Sequence, residues 1–164
     1  TMPTFGNILA RKGGTAMTGK EVTLSLAIPS PKDGKPFVET AVVLLLPVSE
    51  ARKAAAFRAA DAHIAECERV ASETGQPSSA PSVKDERALR FLCESMRDAS
   101  DARKFFVEGD KINDFRDVVI AEQIRLLLGE YDQLILDEYA EVRTKQELLE
   151  MKAQALATFQ SGQG

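Results

Sequence analysis

The lone histidine, His63, stands four residues before Cys67. On an α-helix that spacing brings an imidazole and a thiol onto neighbouring turns, where a metal ion is sterically admissible. A structural or catalytic zinc site needs at least a third protein ligand, and Glu66 points elsewhere on the same predicted helix. A cysteine–histidine nucleophile would further need a cleft and oxyanion donors, which two residues on one helix do not supply. The pair therefore reads as a surface histidine beside a core thiol, and no metal is expected. Carboxylates come in pairs: Asp98/Asp101, Asp114/Asp117, Glu130/Asp132, Asp137/Glu138 and Glu147/Glu150. Nearly all fall on polar faces or first turns of predicted helices, where they solvate the surface or complement the helix dipole. General acid–base chemistry needs one carboxyl held in an apolar pocket, and no position in the sequence asks for that. There is no phosphate loop, no GxGxxG and no CxxC, and Gly13-Gly14 is not followed by the helix start that a phosphate cradle requires. An enzyme is not expected, and no cofactor is implied.

The totals point the same way. A chain of 164 residues with 44% hydrophobic and 28% charged residues has the composition of an ordinary soluble globular protein and is long enough to bury a core. The longest apolar run, Ala41 to Leu46, is strand-sized, far short of the roughly 18–20 residues that span a bilayer. Thr4 to Ala10 is too short and too polar for the apolar centre of a signal peptide. The expected compartment is therefore the cytoplasm, or a particle assembled there. The two cysteines, Cys67 and Cys93, suit that reducing setting as buried free thiols. Net charge is −4, with five basic and three acidic residues in 1–48 and the acidic excess in the remainder. Neither nucleic acid nor an anionic membrane is favoured by that balance.

The elements that must position any site follow from periodicity. Residues 1–20 read as a flexible arm, with Phe5, Ile8 and Leu9 as a small apolar cluster ahead of three glycines. Glu21 to Ile28 alternates as a half-buried strand. A turn-rich stretch with Asp33-Gly34 at its tip follows, and Phe37 to Leu46 reads as a second, more buried strand. A lone hairpin is marginal in water, so this one must lie on helices or gain strands from the arm or from another subunit. After Pro47, Ser49 is a predicted N-cap, and the helix to about Ser72 carries the stripe Ala54, Phe57, Ala60, Ile64, Cys67, Ala71. Gly75 to Pro81 is a surface loop. Ser82 with Asp85 resembles a capping box and opens a helix predicted to run to about Ala99, burying Leu89, Leu92, Cys93 and Met96. Phe105, Phe106 and Val107 form an apolar knot, followed by a turn in which Asp110 or Asn113 caps the next helix.

The longest periodic stretch is Asn113 to Gln160, proline-free and with the single glycine Gly129. As one rod its residues would reach about 65–70 Å at roughly 1.5 Å each, whereas a compact chain of this length is only about 40 Å across. The stretch must therefore break and fold back or leave a tail standing clear. Gly129 is one candidate break; the polar patch 143–146 is the preferred hinge. The domain plan is an arm at 1–20, a single α+β domain at 21–142 with its hairpin at 21–46 and helices from 49, and a C-terminal helix with a frayed tail at 143–164. Tyr131 and Tyr139 serve either as core margin or as anchors for a partner helix. Leu148, Leu149, Met151, Leu156 and Phe159 rank higher as partner contacts, because they lie where the rod outruns the globule and because Met and Phe suit adaptable interfaces. The fold class expected is α+β, mainly α: an N-terminal β-hairpin, then a bundle of three to five helices with a long C-terminal helix.

The run from Arg90 to about Val142 resembles the small tail assembly chaperones of long-tailed bacteriophages. The resemblance rests on a leucine-bearing helix (Leu92), an acidic turn (Asp98) with an apolar pair (Phe105, Phe106), and a helix with the pattern Val119, Leu127, Tyr131. A strand-forming part ahead of the helices also fits that group. The arm at 1–20 and the loop at 75–81 are departures from it. The resemblance implies a non-enzymatic assembly factor in the cytoplasm of a bacterial host, one that binds the helical tape measure protein and helps recruit tail tube subunits. A structural subunit of a phage particle (tail, neck or capsid), bound to copies of itself, or a cytoplasmic helical adaptor would show the same sequence features.

Overall fold

The alternation in Glu21 to Ile28 is realised as strand β1, Lys20–Pro29, paired antiparallel with β2, Pro36–Leu45, from Lys20↔Leu45 to Pro29↔Pro36. This is seen in a computed structural model of the chain that describes residues 4–10, 18–30 and 32–139, and, further on, 147, 149, 150, 152–154, 156 and 157. The turn closes as Asp33-Gly34 predicts. Gly34 takes φ 70°, a left-handed value that glycine adopts without a Cβ penalty, and its N–H donates to the Ser30 carbonyl at 3.1 Å. The fold is α+β and mainly helical. A short helix, α1 (Phe5–Ala10), lies in the N-terminal stretch.

Helix α2, Glu50–Thr74, begins where expected: Ser49 accepts a hydrogen bond from the Arg52 N–H at 3.2 Å. Gly75 ends it with φ 70°, the usual left-handed C-terminal cap. Its buried residues are Ala56, Ala60 and Ile64, spaced four apart so that a small-residue strip lets α3 approach closely. The expected stripe lies on this face: Ala60 and Ile64 are buried and Ala54, Phe57, Cys67 and Ala71 half-buried, while Ala56 was not part of it. Helix α3, Val83–Ser95, is capped by Ser82, which accepts from the Asp85 N–H at 3.1 Å. A two-pronged ion pair from Arg87 to Asp61, at 2.8 and 3.0 Å, ties α3 to α2.

Helix α3 stops at Ser95, short of the predicted Ala99, and Met96–Asp98 becomes strand β3. The cause is local and polar. Ser95 is fully buried; its hydroxyl donates to the Leu46 carbonyl at 2.7 Å, and its own carbonyl accepts from the Leu46 N–H at 2.9 Å. Those bonds turn the backbone into the open edge of β2, where Leu45↔Met96 and Val43↔Asp98 pair. Asp98 then accepts from the Ser100 N–H at 2.8 Å, a side-chain turn of the kind aspartate favours. β4, Asp101–Phe105, comes back alongside, giving the antiparallel order β1-β2-β3-β4. The strands that the first hairpin needs therefore come from the chain's own middle. Part of the predicted knot is strand: Phe105 faces outward under the Arg97 guanidinium at 4.0 Å, while Val107 is buried.

The long stretch breaks early. After a 3-10 turn at Gly109–Lys111, helix α4 covers Ile112–Val118; Val119 and Ile120 are extended, and α5 runs Ala121–Glu138. Lys111 occupies the N-cap position of α4 without a side-chain bond, so the expected caps Asp110 and Asn113 are not used. Val119 bridges to Leu26 of β1, and the sheet edge thereby competes with helix continuation at that point. Gly129 lies inside α5 and interrupts nothing. One face of the sheet carries Leu24, Val43 and Leu45 into a core shared with Leu92 and Met96, Phe115, and Leu127 and Leu134. On α5 the deepest residues are Leu127 and Leu134, with Ile124, Leu128, Tyr131 and Tyr139 packed at the margin. Helix α5 touches both β1 and α3 and so buries more than a single stripe. Among the described residues no helix is long and apolar enough to cross a membrane. The predicted hinge 143–146 and the tail 161–164 lie outside the described residues.

Close approach governs the start of β1. A Cβ built on Gly19 would stand 2.7 Å from the Leu45 carbonyl oxygen and 2.8 Å from the methyls of Leu44 and Leu46. The oxygen belongs to a paired strand and has little room to yield. Gly19→Ala is expected to cost about 1–3 kcal/mol, read as a lower urea midpoint at an unchanged m-value. An unshifted midpoint would mean that the strand end is free to move aside.

Candidate functional site

Three helices leave a trough between them. The N-terminal half of α2 and the middle of α5 form its sides and α3 its floor, enclosing about 810 Å³. Its apolar surface comes from Phe57 of α2, Val83 and Phe91 of α3, and Leu128 and Tyr131 of α5; Lys53, Lys84 and Arg87 bring charge to it. The Phe91 and Tyr131 rings meet edge to face at 4.9 Å and 81°, a favourable geometry for their quadrupoles. Over Phe57 lie the Lys53 ammonium at 5.6 Å and the Arg87 guanidinium at 5.0 Å. Along α3 the trough continues into a second depression of about 740 Å³, which shares Lys84, Ala88 and Leu128 with the first.

Of the residues singled out in the sequence, Tyr131 lies in this trough. Its hydroxyl oxygen accepts from the Val48 N–H at 2.9 Å, so it also fastens the link between sheet and α2 to α5. Tyr139 is elsewhere: it packs at the core margin and its hydroxyl donates to the Thr18 carbonyl at 3.2 Å. Leu149 and Leu156 are helical and 68% and 60% exposed. Leu148, Met151 and Phe159 lie outside the described residues. Phe91 and Ala88 were missed in the sequence, although a signal exists. At 100° per residue, Phe91 falls about 200° from Leu89, on the far side of α3 from its buried stripe. An aromatic there marks a second apolar face.

Tyr131→Phe removes the acceptor for the Val48 N–H and leaves the ring in place. The expected loss is about 1–2 kcal/mol, measured by denaturant titration with near-ultraviolet circular dichroism confirming the packed ring. No loss would assign the Val48 N–H to solvent instead.

The lone histidine and one cysteine do meet, as their spacing allows. The Cys67 Sγ lies 3.6 Å from His63 Nε2, and among the described residues no cluster of three metal-ligating side chains exists. Burial, with the Arg116 and Arg90 charges beside it, holds the His63 imidazole below its ordinary 6.5 despite Glu86 nearby, so it is neutral at pH 7. Cys93 is buried and its thiol is pushed up to about 12 by burial, which leaves little nucleophilic thiolate. Cys67 is half-buried rather than buried. One carboxylate does lie deep, contrary to the sequence reading: Glu86, 1% exposed. It accepts from Arg90 Nε and Arg116 Nε, each at 3.0 Å, and from Arg116 Nη2. Two guanidinium groups use its oxygens, so the triad is a structural clamp joining α3 to α4. The chain matches no protein-family model, and neither a curated protein nor a solved structure is significantly similar to it.

Proposed function

We propose that this protein is a non-enzymatic assembly factor that docks a helical segment of another protein. The observation that carries this reading is the open apolar trough among α2, α3 and α5, bordered by helices and equipped with aromatic side chains suited to helix-in-groove recognition. The exposed Leu149 and Leu156, each helical and seven positions apart, offer a second apolar contact. The resemblance of residues 90–142 to phage tail assembly chaperones supplies the partner: the helical tape measure protein, with tail tube subunits recruited afterwards in the cytoplasm of the bacterial host. Affinity would come from apolar contact, and the net charge of −4 would oppose self-aggregation.

The test is the fate of the protein during particle production. Co-purification with the tape measure protein, together with absence from purified particles, is the expected result. A stoichiometric presence in the particles would instead make it a structural subunit, a reading that the two exposed leucines also favour because they suit contact with further copies. Binding to neither would leave a helical adaptor.

A further inference from the structure

Resting on the docking function proposed above, we infer that the trough selects an acidic amphipathic helix: an apolar stripe flanked by aspartate or glutamate. The charge around the trough is the reverse of the chain's own. In a protein of net charge −4, Lys53 and Lys84 border the trough with no carboxylate in ion-pair range among the described residues. Arg87 is different, because Asp61 already holds it with two bonds. Among the described residues Glu50 is the only carboxylate lining this part of the trough; in the continuation Asp85, Asp132 and the clamped Glu86 stand beside Arg116 and Arg125. Two unneutralised ammonium groups beside Phe57 and Phe91 complement a partner whose greasy face carries acidic flanks. They would act chiefly on register and encounter rate and be screened by salt.

The occupant's backbone follows from the walls. Among the described residues the lining comes from helices and the Val48 linker, with no strand edge exposed to it, so an extended segment would find no ladder of backbone partners there. A helix brings its own hydrogen bonds and presents side chains three and four apart, and Ala88 is small enough for it to approach α3. The continuation of the trough past Lys84, Ala88 and Leu128 gives such a helix more than one turn of contact.

The probe is a synthetic amphipathic peptide of about five helical turns with leucines on one face and glutamates on its flanks, compared with the same peptide carrying lysines. Binding to the full chain is followed by fluorescence anisotropy. The glutamate peptide is expected to bind about tenfold more tightly than the lysine peptide, with the gap closing at high salt. The surface double variant K53E/K84E should invert the preference, and A88R, checked for folding by circular dichroism, should abolish binding of both. Equal binding of the two peptides, lost in A88R, would overturn the charge selection while leaving helix docking standing. Binding of neither would remove docking and selection together. Self-association that A88R disrupts, seen by sedimentation, would make a second copy the occupant and overturn the inference as well.

Discussion

Glu86→Ala is expected to destabilise the protein by about 3–5 kcal/mol, the range found when one partner is taken from a buried ionic cluster. Glu86 is 1% exposed, and the side chains of Arg90 and Arg116 are 16% and 22% exposed. Removing the carboxylate would strand two guanidinium groups in a poorly solvated place, with Asn113 the remaining partner of Arg116, at 2.6 Å. Glu86→Gln keeps the shape and part of the hydrogen bonding, so its loss should be smaller. Replacing Glu86, Arg90 and Arg116 together by apolar residues of similar volume should recover most of the loss, since the intact cluster gains little over a packed apolar one. If the triple variant were as unstable as Glu86→Ala, the desolvation account would fail.

Acid should act through the same cluster. Burial alone would raise the Glu86 pKa, but the hydrogen bonds from Arg116 and Arg90 outweigh it and hold the group below 4.5. The unfolded chain therefore takes up this proton first as pH falls. The stabilisation is complete above about 4.5 and disappears as pH drops through the folded-state value. His63 works in the same direction from higher pH: its folded pKa lies below 6.5, so unfolding is favoured by proton uptake once pH falls under that value. Urea midpoints should fall on acidification in two stages, and Glu86→Gln should flatten the lower one. A Glu86→Gln profile parallel to that of the unsubstituted protein below pH 4.5 would assign acid sensitivity to other carboxylates.

What the sequence disclosed and what it hid divide along one physical line. Signals confined to a few neighbouring residues were readable: the β1 alternation, the Asp33-Gly34 tip, and the Ser49 and Ser82 caps. Each depends on local backbone chemistry, which the sequence writes in place. Strand β2, expected to be the more buried strand, is instead mostly exposed. Ser95 was not readable as the end of α3, because its decisive partner is Leu46, on the linker after β2. The same holds for Val119, whose partner is Leu26, and for Glu86, which meets Arg116 thirty residues away. On a helical wheel Glu86 is one more acidic residue near an N-terminus. Of the trough, the sequence exposed Tyr131 and Phe57 as apolar positions but not their convergence, which needs the packing of α2, α3 and α5 to be known.

Helix α4 braces α3 and β1, and Phe115→Ala should show how strongly. A seven-residue helix such as Ile112–Val118 does not persist by itself in water; it is held by Phe115 in the core, by Arg116 on Glu86 and by Val119 against β1. Emptying the Phe115 site is expected to cost about 3–5 kcal/mol, the transfer of the ring plus the cavity left behind, and to raise hydrogen exchange in α4 ahead of α5. Leu149→Ala and Leu156→Ala stand at the other extreme. Both side chains are more than half exposed, so each change should stay within about 0.5 kcal/mol while weakening any partner that docks on them. If either leucine variant lost stability on the Phe115 scale, those side chains would be covered by their own chain in solution, and the surplus apolar surface that motivates a helical partner would not exist there.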